Sequence, residues 1–309
     1  MIEIQALRKS YRKSLALDGF SMQIQPDELV GIVGPNGAGK TTLIKILATL
    51  LRADSGAVRV AGHDVASNPA AVRASVGYLP DVAGIYQDLR VGEFLEFFAD
   101  AFRLKEPQRS TAIERALERA GLAARRDDFV EHLSLGWKQR LHLSKILLHE
   151  PKLLLLDEPA TGLDPLARIT LREQLTRLHS EGVTILISSH ILSDLEDICT
   201  RIVFIADGKN VDEPQLAAFP SGASAATIRC EIEFQGSADN AARAAANVSG
   251  ARVLRKKESF LVVELFGGAK EASAFLLALL NAGLTILHFD ARGPDLEERY
   301  RRTFGEHAR

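Results

Sequence analysis

The chain has 309 residues, 46% of them apolar and 25% charged, with a formal net charge of −2. That length favours two domains over one, the composition is that of an ordinary globular protein, and the near-neutral charge gives no footing to a nucleic-acid binder that uses its whole surface. Two cysteines, Cys199 and Cys230, supply neither a disulfide framework nor a metal spacing, which fits a reducing cytosol.

The start, Met1-Ile-Glu-Ile-Gln5, has no basic stretch leading into an apolar core, so no secretory leader is expected. The basic residues Arg8, Lys9, Arg12 and Lys13 read as a solvated face. Glu28-Leu-Val-Gly-Ile-Val33 predicts a buried strand, and Thr41 to Leu51 the helix after it. Between them runs Gly34-Pro35-Asn36-Gly37-Ala38-Gly39-Lys40-Thr41-Thr42, which fits Gly-x4-Gly-Lys-[Ser/Thr] from Gly34 to Thr41. A triphosphate packs several negative charges into a small volume. Glycines let backbone N–H groups approach it without a Cβ in the way, and a helix N-terminus aims partial positive charge at the same point. In this pattern Lys40 reaches the β- and γ-phosphates, and Thr41 offers its hydroxyl to Mg²⁺.

Gly77-Tyr-Leu-Pro-Asp81 closes this first stretch. Residues from about 85 to 150 change character: Val91 to Phe98 and Thr111 to Ala120 carry a helical period, with Glu114, Arg115, Glu118 and Arg119 on exposed faces. The aromatic stripe Phe94, Phe97, Phe98 and Phe102 reads mostly as core. Leu133-Ser134-Leu135-Gly136-Trp137-Lys138-Gln139-Arg140 opens a further helix near Ser134. Then comes Leu153-Leu-Leu-Leu-Asp157-Glu158, an apolar central strand with Asp157 at its C-terminal end, where open α/β sheets place their ligands. Alone, two acids before Pro159 would read as a solvated strand end. Paired with the glycine-rich loop they read as a nucleoside triphosphatase site. Asp157 is the expected partner of Mg²⁺, through water, and Glu158 is placed to orient or deprotonate the attacking water. Thr161-Gly-Leu-Asp164-Pro165 and Ile187-Ser-Ser-His190 follow, within a strand–helix alternation over 150–212 that predicts a parallel sheet.

Pro214 to Ala226, rich in Ala, Pro, Ser and Gly, reads as a linker. Beyond it the pattern gives a strand at Thr227–Phe234, a helix at Ala238–Val248, strands at Arg252–Arg255 and Phe260–Leu265, a helix at Lys270–Leu280 and a strand at Leu284–Phe289. That order, βαββαβ, is the ferredoxin-like arrangement. No catalytic constellation is legible there, and His288 reads as a strand residue. Ala274 to Leu280 is too short an apolar run to span a bilayer, and no other run approaches the ~18 residues needed. Arg299-Tyr-Arg-Arg302 near the end reads as a solvated basic face or one beside lipid headgroups.

Taken together, six of these motifs resemble those of the ATP-binding cassette (ABC) ATPases, over residues 1 to about 215. Leu133–Arg140 looks like the family's signature, Thr161–Pro165 like its D-loop, and Ile187–His190 like its switch-histidine strand. Tyr11 stands where the family keeps an aromatic that stacks on adenine. The resemblance implies an α/β P-loop NTPase core over 1–213 with an antiparallel edge and a helical subdomain over about 85–150. A linker at 214–226 and an accessory α+β domain at 227–309 would follow, whose Gly293-Pro-Asp-Leu-Glu-Glu-Arg-Tyr300 is similar to the tail of many exporter ATPases. It further implies ATP and Mg²⁺ as cofactors, with Thr41, Asp81 and Asp157 toward the metal. Two ATPase domains would face each other head to tail. Ser134 and the Gly136 N–H would bind the γ-phosphate held by the opposite domain, and Asp164 would sit at the seam. His190 would hold the γ-phosphate and the water in its own domain. The implied partners are a second ABC ATPase domain, identical or paralogous, and an integral membrane permease whose short cytoplasmic helix docks on the helical subdomain. The implied place is the cytoplasmic face of the membrane, the implied work export, and no nucleic acid is expected.

Three departures qualify the resemblance. Leu135 replaces the first signature glycine, Trp137 the signature glutamine, and Asp81 a usual glutamine. They suggest a slower or asymmetric site, and leave a weakly active regulatory subunit as an alternative. A soluble ABC ATPase acting on ribosomes or DNA is the other. Against it, the chain holds a single motif set, no long coiled coil and no cysteine-rich insertion.

Overall fold

The computed structural model describes residues 1–12, 14–86, 88–211 and 227–292. The chain divides into two units, Met1–Ala217 and Ala218–Arg309. Lys13, the Pro214–Ala226 segment, and everything from Gly293 on, including Arg299–Arg302, lie outside the described residues.

In the first unit β1 (Ile2–Tyr11) and β2 (Ser14–Ile24) form an antiparallel pair. Alternating apolar positions turn Ile2, Ile4, Phe20, Met22 and Ile24 into the core. Arg8 pairs with Asp18 and Lys9 with Asp54, so these two members of the basic cluster are ion-paired. β3 (Leu29–Val33) is buried along its whole length and leads through the glycine-rich loop into α1 (Lys40–Leu47). That helix stops short of the predicted Leu51. The Ala48 N–H closes the last turn on the Ile44 carbonyl, and Thr49 takes a φ of 61°, which cannot continue a right-handed helix. β4 (Ser55–Val60) and β5 (His63–Asp64) complete a sheet of order β2-β1-β4-β5, the expected antiparallel edge. Next come α2 (Pro69–Ser75) and β6 (Val76–Leu79).

The helical subdomain holds α3 (Val91–Ala101), α4 (Gln108–Ala120) and α5 (Leu135–Leu147). Its core gathers Phe94, Leu95, Ile113, Leu117 and Leu141. The aromatic stripe splits. Phe94 is buried with Val91, Leu95 and Ala99 on one helical face, Phe98 is half-buried, and Phe97 and Phe102 are exposed. β7 (Leu153–Asp157), α6 (Pro165–Ser180), β8 (Thr184–Ser189), α7 (Ser193–Glu196), β9 (Arg201–Ala206) and β10 (Lys209–Asn210) finish the unit. The resulting sheet has the order β10-β9-β3-β8-β7-β6, parallel throughout except for the short β10.

In the second unit β11 (Thr227–Gln235), α8 (Ala238–Ala246), β12 (Ala251–Lys257), β13 (Phe260–Phe266), α9 (Ala269–Asn281) and β14 (Thr285–Arg292) follow the βαββαβ order. Its sheet runs β12-β13-β11-β14 over a core that includes Cys230, Ile232, Phe234, Val263 and Phe275. β14 outruns the predicted Phe289 because Asp290, Ala291 and Arg292 still pair with Glu231, Cys230 and Arg229. His288 is an exposed residue of that strand, opposite Glu233.

Candidate nucleotide site

Strand order builds the site. β3 and β7 are not neighbours, because β8 runs between them. The register sets Asp157 of β7 across from Ser188 of β8, and Ser188 across from Ile32 of β3. The three strands are parallel, so the loop after β3, the acids at the end of β7 and the histidine after β8 meet at one sheet edge.

The loop approaches β2 closely. Gly39 has a φ of 108°, and a Cβ there would lie 2.4 Å from the Ala16 carbonyl oxygen. Lys40 is buried, and its Nζ donates to the carbonyl oxygens of Gly34 (2.7 Å) and Pro35 (3.2 Å). The same Nζ lies 3.4 Å from Glu158 Oε1. Gly34 and Pro35 thus act through their carbonyls.

Asp157 Oδ1 accepts two hydrogen bonds, from Thr41 Oγ1 (3.1 Å) and Ser188 Oγ (2.8 Å). Ser188 Oγ also accepts the backbone N–H of Glu158 (3.0 Å). Asp157 Oδ2 is buried without a hydrogen-bond partner. Burial pushes the Asp157 carboxyl up, the Ser188 and Thr41 hydroxyls oppose that, and the charges of Asp81 and Glu158 reinforce it. A bare buried oxygen among acids, with a hydroxyl fixed beside it, is short of positive charge, and a hydrated divalent cation fits that deficit. Among the described residues no three His, Cys, Asp or Glu side chains gather as a metal site. A cation here would therefore take its other ligands from phosphate and water.

Glu158 Oε2 accepts the backbone N–H of His190 (3.3 Å) and lies 2.7 Å from its Nδ1. A carboxylate only accepts, so in this contact Nδ1 is the donor. An open cleft of about 360 Å³ lies over these groups. Residues 36–42, Asp81, Glu158 and His190 line it, joined by Ala16 and Thr161.

The other predicted residues lie elsewhere. Tyr11 ends β1, is 43% exposed and is not part of the cleft lining; Lys9 Nζ sits 5.9 Å from its ring centroid. Ser134 is the N-cap of α5, accepting the Trp137 N–H at 3.5 Å, and Asp164 is the N-cap of α6, accepting the Ala167 N–H at 2.9 Å. Both are exposed. Gly136 packs against α6, since a Cβ on it would lie 2.9 Å from that of Ala167. The guanidinium groups of Arg125 (4.8 Å) and Arg140 (4.3 Å) both lie over the Trp137 ring, which packs against the subdomain core, so the subdomain absorbs its bulk. Two functional contacts escaped the sequence reading. One is Ser188, whose signal was its place two residues before His190. The other is Gln139, whose Nε2 donates to the Pro159 carbonyl (2.7 Å) and ties α5 to the turn after Glu158.

Residues 17–161 match the ABC transporter family. The Nod factor export ATP-binding protein I of Paraburkholderia xenovorans is 36% identical over 231 residues, 75% of each chain. The chain belongs to the ABC transporter family. Linearmycin resistance ATP-binding protein LnrL of Bacillus subtilis is 32% identical to this ABC protein over 211 residues, 68% of each chain. Among solved structures, cbiO1 from Clostridium perfringens, part of the ABC transporter complex cbiONQ, is similar with a TM-score of 0.63 at 28% identity, over 68% of this chain and 86% of its own. As an ABC ATPase, the chain binds and hydrolyses ATP.

Proposed function

We propose that this ABC ATPase energises export through a separate membrane permease, working as a pair of ATPase domains with Mg²⁺. The observation that carries the catalytic part is the Glu158 carboxylate, held between Lys40 Nζ and His190 Nδ1 at the floor of the cleft. Lys40 is the cation for the β- and γ-phosphates. Glu158 orients a water and takes its proton, and His190 fixes that carboxylate from the far side. Thr41 and Asp157, with Asp81 at the rim, are the residues that would hold Mg²⁺, which when bound neutralises phosphate charge.

Ser134, the Gly136 N–H and Asp164 are exposed or at helix starts, where a second ATPase domain can use them, and Tyr11 is the proposed adenine platform. The docking surface for the permease is the exposed pair Tyr86 and Phe97, the two rings 5.2 Å apart edge to face. Among the described residues no helix is long and apolar enough to cross a membrane, so this reading gives the crossing to another chain. Export is supported by the name of the Nod factor export relative and by the acid at position 81. Glu158→Gln tests the catalytic part: it should still bind ATP while turnover falls by roughly a hundredfold or more, the scale of general-base catalysis. Parental turnover in that variant would remove Glu158 from the role.

A further inference from the structure

Outside the cleft, one buried carboxylate has no place in the chemistry above. Asp194 is only 9% exposed, and its Oδ2 is buried without a hydrogen-bond partner. It sits four residues past His190, and its backbone N–H closes on the Ile191 carbonyl (3.3 Å), a tight turn that begins directly after the histidine. Its Oδ1 lies 3.9 Å from Arg168 Nη1. Arg168, one turn into α6, folds back so that its Nε donates to the Leu163 carbonyl (3.1 Å), the peptide that leads into Asp164. One guanidinium therefore links the peptide before Asp164, by a hydrogen bond, to the turn that directly follows His190, by an ion pair. The neighbouring Arg172 is committed to Asp197 at 2.7 Å, which leaves this grip to Arg168.

We infer that Arg168 and Asp194 are positioning residues that couple the Asp164 turn to His190, so that engagement of Asp164 sets the histidine against Glu158. This inference rests on the reading that Asp164 lies at the seam between two ATPase domains and that His190 acts at the γ-phosphate. The physical basis is the shared rigid group. A guanidinium is planar, and its Nε and Nη hydrogens point along fixed directions. Displacing the Leu163 carbonyl turns the whole fork, and the buried Asp194 must follow or lose the counter-charge that, among the described residues, lies within ion-pair distance. The field at Asp194 agrees with this placement. Burial raises its carboxyl, Arg168, Arg172 and His190 lower it, and Glu158 raises it again, so the carboxylate senses both members of the catalytic pair.

The test is a double-mutant cycle in the full-length chain: parent, Asp194→Asn, Arg168→Gln, and the two combined. Steady-state ATPase rates give kcat, KM for ATP and the Hill coefficient, and thermal unfolding gives the midpoint of each protein. Each single change should lower kcat about tenfold, leave KM within about twofold, and drop the Hill coefficient toward one. The double variant should be no slower than the slower single, because both break the same link. Asp194→Glu, which keeps the charge, should recover half or more of the parental kcat. Parental kcat in either single variant, or losses that multiply in the double, would overturn the inference. Should Asp194→Asn be unfolded at the assay temperature, Arg168→Gln decides alone, since the Arg168 side chain is 32% exposed and its loss opens no core. Turnover that survives Glu158→Gln counts against the catalytic assignment instead, and the cycle still reads out relative to the parental rate.

Discussion

Ser188→Ala removes a hydroxyl that no motif required but on which both acids depend. Ser188 Oγ donates to the buried Asp157 Oδ1 at 2.8 Å and accepts the Glu158 N–H at 3.0 Å. A hydrogen bond to a charged group contributes about 1.5–3 kcal/mol, and a buried N–H left without an acceptor costs about 1–3 kcal/mol. Some relief by water brings the sum to roughly 3 kcal/mol. At about 2–4 °C per kcal/mol for a unit of this size, the thermal midpoint should fall by roughly 6–12 °C. The second consequence is chemical. Asp157, whose carboxyl burial already raises, loses the stronger of its two donors, so its ionised form is harder to maintain. Loss of about 1.5 kcal/mol there corresponds to roughly tenfold more Mg²⁺ for half-maximal turnover. The assay is calorimetric unfolding together with a Mg²⁺ titration of ATPase rate, with Ser188→Thr as the variant that keeps the hydroxyl. A midpoint within about 2 °C of the parent and an unchanged Mg²⁺ requirement would refute the reasoning.

Two glycines of the loop should separate space from backbone strain. Gly39→Ala faces both a φ of 108° and a carbonyl 2.4 Å from the new Cβ, so fluorescent-nucleotide binding should weaken at least tenfold. Gly37→Ala has a φ of 85° with nothing within 4 Å, and should show only the strain, of order 1 kcal/mol in stability. His142 supplies a pH dependence. It is buried in the helical subdomain, and burial, aided by the charge of Lys145, pulls its pKa down to about 4. The folded state keeps it neutral while the unfolded chain titrates near 6.5, so its stabilisation is complete above about pH 6.5 and is lost as pH falls toward 4. Urea unfolding should show the parent losing about 2 kcal/mol more than His142→Phe between pH 7 and pH 5, and parallel pH curves would dismiss the effect.

The chemistry of this protein was legible because it is written in short contiguous segments. A phosphate loop is recognised by local spacing: the glycines, Lys40 and Thr41 must follow one another for the backbone to wrap a phosphate, whatever surrounds them. The run of leucines into Asp157 and Glu158 is equally local, since a strand buried on both faces must be apolar until it reaches the sheet edge. Periodicity likewise gave the helical subdomain and the βαββαβ order of the second unit. Helix and strand ends depart from the pattern where the backbone sets them: the positive φ of Thr49 ends α1, and the ladder with β11 prolongs β14.

What needed the tertiary structure was adjacency. Nothing in the spacing says that β8 lies between β3 and β7, yet that order alone puts Ser188 under both acids. The same holds for Gln139 on Pro159, for Arg168 between Leu163 and Asp194, and for Trp137, which departs from the signature but carries two arginines over its ring. The sequence by itself determined which groups bind phosphate and move a proton, because those roles depend on residue type and local spacing. The structure decided which groups hold them in place, because hydrogen bonds and ion pairs act over a few ångströms of space between residues far apart along the chain.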